Sequence, residues 1–320
     1  MRTPRFIQQH VFDSAALAAE AAAGLQARPA AVSPKFFYDA LGSRLFDAIT
    51  ELDEYYPTRT EAAIFAAHNG AIATAVRAQA GAGAALVDLG AGNCEKAARL
   101  FDALDPGRYV AVDISVDFLR HSLECLQRQY PGLDMVGVGL DFSARLVLPE
   151  GLVEGPACVF YPGSSIGNFT PDEALALLRQ AHVLARGGTL LIGVDLVKAK
   201  PVLEAAYDDP LGVTGAFNLN LLRHLNRVID SNFELREWRH VALFNAAASR
   251  IEMHLEARHA LSVAWPGGER RFAAGERLHT ENSYKWQRAD FEALLRDAGF
   301  AGVRTWSDAR GWYAVTLATA

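Results

Sequence analysis

Ala84-Ala85-Leu86-Val87-Asp88-Leu89-Gly90-Ala91-Gly92-Asn93-Cys94-Glu95-Lys96 decides the fold. The apolar run reads as a buried strand, the two glycines as a turn, and the residues after Asn93 as the start of a helix. A second apolar run, Tyr109-Val110-Ala111-Val112-Asp113-Ile114, opens into a helical pattern from Ser115 to about Tyr130. Three more runs follow, at 135–140, 157–161 and 188–195. Between the last two, Pro171 to Ala185 predicts a helix. Thr170 or Pro171 starts it, Leu175, Leu178 and Val183 give it an apolar face, and Gly187-Gly188 stops it. Strands alternating with helices at this spacing predict an α/β fold around a mostly parallel sheet.

The alternation ends at Asp195. Arg250–Ala257 and Ala260–Trp265 read as strands, Ala289–Ala298 as an amphipathic helix closed by Gly299, and Trp312–Ala318 as a final strand. The first 60 or so residues contain no βαβ unit and are dense in aromatics. The pattern predicts a smaller, discontinuous α+β domain from 1–61 and 196–286, with an α/β core from 62–195 and 287–320.

Composition narrows the function. The 320 residues carry 31 basic and 37 acidic side chains, a net charge of −6, and no run of like charge. That disfavours nucleic acid as a partner. No apolar run approaches the roughly 20 residues needed to span a bilayer, so no membrane partner is expected. Cys94, Cys125 and Cys158 are too few and scattered for a disulfide framework. A reduced, cytoplasmic monomer is the expectation. The nine histidines show no paired-ligand spacing, and no metal is expected.

Gly90 and Gly92 form two-thirds of a dinucleotide-type fingerprint, where glycine lets backbone approach a ligand closely. Asp113 ends the next strand, placed to grip ribose hydroxyls. NAD enzymes share both features. Three others favour S-adenosylmethionine. Asp88 precedes the first glycine, as a cationic cofactor needs oxygen acceptors and a pyrophosphate does not. Asp141-Phe142 follows the third strand, a carboxylate for an adenine amino group and a ring to cover the base. The chain also closes on helix then strand. Lys96, in the first helix, is a candidate for the cofactor carboxylate.

Longer motifs stand beside this core: Phe37-Tyr38 with Ser43-Arg44-Leu45-Phe46, Glu54-Tyr55-Tyr56-Pro57-Thr58-Arg59-Thr60-Glu61, Tyr161-Pro162-Gly163 running to Asn168-Phe169, Tyr207-Asp208-Asp209-Pro210, Phe217-Asn218-Leu219-Asn220, Ile251-Glu252-Met253-His254, and His279-Thr280-Glu281-Asn282-Ser283-Tyr284-Lys285-Trp286. Together, in this order, they resemble the S-adenosylmethionine-dependent histidine Nα-methyltransferases, which form hercynine in ergothioneine biosynthesis. The resemblance runs from Phe37 to the last strand.

It implies a class I methyltransferase-like sheet of seven strands with helices on both faces, and L-histidine as the small-molecule partner. By that resemblance Asn168 and Tyr207 hold the substrate carboxylate, and Gly163 and Asn168 stand near the α-amino group. Tyr38 reaches the amine, and Tyr38 and Asn168 serve the chemistry. Tyr55, Glu281 and Ser283 line the imidazole, and Met253 packs beside it. The residue types suit a zwitterion carrying an imidazole, which needs an acceptor for its N–H and a polar partner at the other nitrogen. Glu281 and Ser283, two apart, share one side of a strand, with Asn282 opposite.

Overall fold

The computed structural model describes residues 2–9, 13–114 and 116–320. Ser115, where the sequence begins a helix, lies outside the described residues. Six strands precede Leu196: β1 (Arg5–Gln8), β2 (Ala85–Leu89), β3 (Arg108–Asp113), β4 (Asp134–Gly139), β5 (Ala157–Tyr161) and β6 (Thr189–Asp195). Five follow: β7 (Trp238–Asn245), β8 (Arg250–Ala257), β9 (Leu261–Trp265), β10 (Gly268–Phe272) and β11 (Arg277–Tyr284). The chain closes on β12 (Ala301–Ser307) and β13 (Tyr313–Thr319). The helices are α1 (Ser14–Gln26), α2 (Ala40–Thr50), α3 (Tyr56–Ala80), α4 (Glu95–Leu104), α5 (Val116–Gln129), α6 (Pro171–Ala185), α7 (Lys200–Ala205), α8 (Val213–Val228) and α9 (Arg288–Asp297).

Two compact units emerge. One comprises Met1–Val11, Arg59–Leu196 and Trp286–Ala320; the other comprises Phe12–Thr58 and Val197–Lys285. The first unit is built on an eight-stranded sheet in the order β1-β4-β3-β2-β5-β6-β13-β12. The strands from β1 to β6 are parallel; β13 alone runs against them, antiparallel to both of its neighbours, β6 and β12. This is the class I methyltransferase sheet with one strand more than the expected seven. The addition, β1, falls in the segment assigned from sequence to the second domain. Its placement has a side-chain reason: a Cβ on Gly137 of β4 would lie 2.8 Å from the Phe6 ring, so the glycine makes the room Phe6 occupies. The Arg120 guanidinium covers the same ring at 4.1 Å.

β2 to β6 are nearly continuous buried apolar runs, as strands covered on both faces must be. Leu86, Tyr109, Met135 and Phe160 pack on one face with Ile72 and Val76 of α3, Leu100 and Phe101 of α4, and Leu123 of α5. The alternate strand residues, Val87, Val110, Val136 and Val159, are buried as well and point to the opposite face. Helix α6 begins with a complete capping box between Thr170 and Glu173, with Pro171 in its first turn. Its buried face is Ala174, Leu177, Leu178, Ala181 and Leu184, whereas Val183, expected on that face, is 76% exposed. A stripe drawn through Leu177 and Leu178 recurs at 181 and 184, which leaves 183 on the solvent side.

The second unit holds a three-stranded antiparallel sheet, β11-β8-β7, and the hairpin β9-β10. The two strands expected between Ser249 and Trp265 are present as β8, which pairs with β7 and β11, and β9, which pairs with β10. Helix α8 packs on β7 and β8 and is contacted by α1 and α2. Asp39 caps α2 through Gly42 N–H at 2.7 Å and accepts from Asn220 Nδ2 of α8 at 2.8 Å. These bonds hold the Asp39 carboxyl below its ordinary range against a raising effect of burial. Among the described residues no helix is long and apolar enough to cross a membrane.

Candidate functional site

In the first unit, the candidate cofactor residues gather at the carboxyl ends of β2, β3 and β4, where parallel sheets place their ligands. Gly90 (φ +71°) and Gly92 (φ +52°) take left-handed conformations. Gly90 and Ala91 N–H donate to the Val112 carbonyl at 2.9 and 3.1 Å, and Gly92 N–H donates to Asp113 Oδ2 at 3.0 Å. The turn is thereby tied to the tip of β3, with the Asp113 carboxylate beside its glycines. A Cβ on Gly90 would meet the Phe142 ring at 3.8 Å, and one on Gly92 would come no closer than 4.0 Å, to the Gly90 carbonyl. Phe142 itself stands edge-on to Tyr161, 5.8 Å between centroids. Asp141 Oδ1 accepts from Ser143 N–H at 3.1 Å, which fixes the loop after β4.

Asp88 is buried, and Tyr109 OH donates to its Oδ2 at 2.7 Å. Its Oδ1 is buried with no hydrogen-bond partner among the described residues. A buried carboxylate oxygen left without a donor is costly, and a ligand ammonium answers that need. Burial raises the Asp88 carboxyl to about 7, with Asp113 and Glu61 adding to it and Tyr109 and Lys96 opposing. The residues therefore fit a cationic cofactor: an acid aimed at it, backbone bared by glycine, a carboxylate at the next strand end, and a ring beside the turn. Burial pushes the Cys94 and Cys158 thiols up to about 12, which disfavours their thiolates.

One neighbour escaped the sequence. Glu61 is buried, and its Oε1 accepts from Gly163 N–H and from Tyr313 OH, each at 2.7 Å. Its Oε2 accepts from Lys96 Nζ at 2.8 Å. Lys96, expected to face the cofactor, is thus anchored on Glu61. Gly163 (φ +80°) begins the turn after β5, and its N–H is already engaged. Only its carbonyl remains to address an amine, which is the polarity an ammonium requires. Asn168 ends the same turn, half-buried.

In the second unit, Glu281 on β11 stands directly across from Met253 on β8, and Ser283 across from Ile251. The pairing slips between His279 and Glu281, so Thr280 is an extra residue in the strand. His279 pairs with His254, and Glu281 pairs with Met253, the adjacent residue of β8 and so on the opposite face. The bulge turns Glu281 away from His279, although the two are two positions apart. Asn282 takes the other face, where His279 Nε2 donates to its Oδ1 at 2.9 Å.

Tyr207 OH and Ser283 Oγ are 2.8 Å apart, and Tyr55 stands edge-on to Tyr207 at 6.1 Å. The rings continue from Tyr55 to Phe46 at 6.2 Å, then to Tyr38 at 6.0 Å and Phe217 at 6.1 Å. Tyr38, Tyr55 and Tyr207 therefore share one aromatic cluster. Phe46 and Phe217 lie in quoted motifs and were given no role from sequence.

The family described as "Histidine-specific methyltransferase, SAM-dependent" matches residues 17–320. The chain belongs to this family. Histidine N-alpha-methyltransferase of Mycolicibacterium smegmatis is 42% identical over 316 residues, covering 96% of each chain. Its counterpart from Mycobacterium tuberculosis is 40% identical over 311 residues, covering 95% of this chain and 94% of that one. Ergothioneine biosynthesis protein 1 of Neurospora crassa is 30% identical over 280 residues, which cover 84% of this chain and 31% of the longer fungal protein.

In this member of the histidine-specific methyltransferases, Lys285 stands beside the Tyr207–Ser283 pair, its Nζ 3.0 Å from Tyr207 OH and 2.7 Å from Ser283 Oγ, and was given no role from sequence. It lies two residues beyond Ser283, and period-two spacing in an extended strand was the signal that could have found it.

Proposed function

We propose that this chain transfers three methyl groups from S-adenosylmethionine to the α-amino group of L-histidine, giving hercynine for ergothioneine biosynthesis. Family membership supports the reaction. The observation in the structure that carries the reading is the pairing of Glu281 with Met253 on one side of the β8–β11 ladder, beside the Tyr207–Ser283 hydroxyl pair. An acid, a soft apolar surface and hydroxyls are the surroundings an imidazole amino acid needs.

S-adenosylmethionine supplies an electrophilic methyl on sulfur. In this reading Asp88 takes the cofactor ammonium, Gly90 and Gly92 bare their backbone to it, and Asp113 holds the ribose hydroxyls. Asp141 and Phe142 address the adenine. Lys96, fixed through one N–H to Glu61, offers others to the cofactor carboxylate. Tyr207 and Asn168 hold the substrate carboxylate, the Gly163 carbonyl faces the amine, and Glu281 accepts the imidazole N–H.

An amine attacks only when neutral, so one proton must leave before each transfer. Orientation accounts for most of what these residues do. Tyr38 directs the amine by a hydrogen bond, since an ordinary phenol titrating near ~10 is seldom a base. The rings of Tyr38, Phe46 and Tyr55 favour the growing positive charge by cation–π attraction.

The test is mass spectrometry of reactions containing S-adenosylmethionine and each free amino acid in turn. A product heavier by three methylations with histidine alone is the expected result. No shift with histidine overturns the reading, and a shift with a different amino acid moves the substrate.

A further inference from the structure

Glu61 of α3 ties together two parts of the first unit that the proposed chemistry uses separately. Its Oε1 accepts from Gly163 N–H and from Tyr313 OH, each at 2.7 Å, and its Oε2 accepts from Lys96 Nζ at 2.8 Å. The Glu61 side chain is 2% exposed and that of Lys96 36%, so the ion pair runs from the interior outward. Lys96 Nζ also stands over the turn after β5: a Cβ on Gly163 would lie 3.0 Å from it. The lysine occupies space that a glycine leaves open, on a backbone (φ +80°) that already favours glycine.

The same turn is fixed at its next residue. Ser164 (φ +57°) accepts at Oγ from Asp195 N–H at 2.9 Å, and its carbonyl accepts from Gly167 N–H at 2.9 Å. Gly163 is therefore held by Glu61, and Ser164 by the end of β6. All of these residues lie in one compact unit.

Stability alone does not account for the arrangement. A buried ion pair gains little over apolar residues of similar size, because both charges must leave water. The Glu61 carboxylate replaces its water with three donors. Two of them come from the residues read as serving the cofactor and the amine.

We propose that Glu61 is a positioning residue for methyl transfer: one oxygen sets Lys96 toward the cofactor carboxylate, and the other sets the Gly163 turn toward the amine. The proposal rests on the reading that Lys96 and Gly163 serve cofactor and acceptor. It gives the two oxygens separable tasks. An amide in place of the carboxylate keeps one acceptor for Gly163 and Tyr313 to share, but turns an N–H donor toward the Lys96 ammonium. Glu61→Gln therefore releases Lys96 and spares the turn, whereas Glu61→Ala releases both.

The experiment measures S-adenosylmethionine affinity by titration calorimetry in the wild-type chain, Glu61→Gln, Lys96→Met and the double variant. Each single variant should bind about 10-fold more weakly, the size of one charge-assisted hydrogen bond. The double variant should bind no more weakly than Lys96→Met, because Glu61 acts through the lysine. A bare loss of negative charge near a cationic cofactor would instead weaken the Lys96→Met chain again, and that additivity overturns the proposal. Unchanged or tighter binding in Glu61→Gln overturns it as well. At saturating cofactor, Glu61→Ala should show a kcat for L-histidine about 10-fold below that of Glu61→Gln, since only the alanine frees the turn. Equal kcat values in the two would remove the role at Gly163. The calorimetric cycle decides even where Glu61→Ala does not fold. If the wild-type chain methylates no amino acid, the functional reading itself falls; an active wild type with an additive cycle sinks this proposal alone.

Discussion

Tyr109 OH donates to Asp88 Oδ2 at 2.7 Å, while the second oxygen of the same carboxylate is buried without a hydrogen-bond partner among the described residues. Burial is the chief reason that this acid rises from 3.8 to about 7. A cation beside Asp88 favours the anion, so under the proposal that Asp88 takes the cofactor ammonium, binding of S-adenosylmethionine should expel the proton wherever the free protein holds one. Below about 7, affinity should therefore climb by about tenfold per pH unit, and the climb should flatten above it. Titration calorimetry at pH 6 in buffers of different ionisation enthalpy should show close to one proton released per cofactor bound. Asp88→Asn should bind more weakly and lose the slope; an unchanged slope in that variant would assign the proton elsewhere.

Glu61 and Gly193 make a second close relationship. A Cβ on Gly193 would stand 2.1 Å from Glu61 Oε1 and 2.5 Å from Tyr313 OH. Neither can retreat, because Glu61 is also bonded to Gly163 N–H and β6 is paired on both sides. Gly193→Ala should cost about 1–3 kcal/mol by overpacking. Chemical denaturation measures it, and adding Tyr313→Phe should return part of the loss by removing the hydroxyl. A double variant no more stable than Gly193→Ala would exclude this contact as the cause.

Tyr38 offers a cleaner separation of ring from hydroxyl. Its ring packs edge-on against Phe46 and Phe217, both at 6.0 Å, and those contacts do not involve the oxygen. Tyr38→Phe should keep these ring contacts and lower turnover by about 10- to 100-fold. If the hydroxyl directs the amine, time-resolved mass spectrometry should show mono- and dimethylated histidine accumulating. Wild-type turnover and product distribution in the variant would end that role.

What could be read from the chain was local. Asp88, Gly90, Gly92 and Asp113 lie within one βαβ step, and the structure gathers them as their spacing requires. Glu61 was hidden because its partners Gly163 and Tyr313 are 102 and 252 residues away, and no periodicity links positions so distant. Strand β1 was missed for the same reason: four residues have too little pattern to declare a strand, and pairing with β4 is what makes Arg5–Gln8 one. The bulge at Thr280 was invisible because bulged and regular strands share one sequence pattern. Only the pairing of His279 with His254 and Glu281 with Met253 reveals it.

That pairing sets the last prediction. The His254 and His279 rings meet edge-on, 5.2 Å between centroids. Burial first, then His279 and Arg277, push His254 down from 6.5 to about 4, against the pull of Glu252 at 3.3 Å. His279 is lowered as well, by burial first and by Arg250, with Asn282 and Glu252 opposing. A base whose folded pKa is depressed contributes stability that is present above about 6.5 and lost as pH falls toward about 4. In that window His254 alone should remove about 1.4 kcal/mol per pH unit. Asp88 acts with the opposite sign, because its raised pKa contributes stability in acid that is lost as pH rises through about 7. Measured from pH 4 to 6.5, His254→Asn should therefore flatten the dependence of unfolding free energy on pH, and Asp88→Asn should steepen it. The wild-type curve belongs between them. Three parallel curves would show that neither group titrates differently in the folded chain.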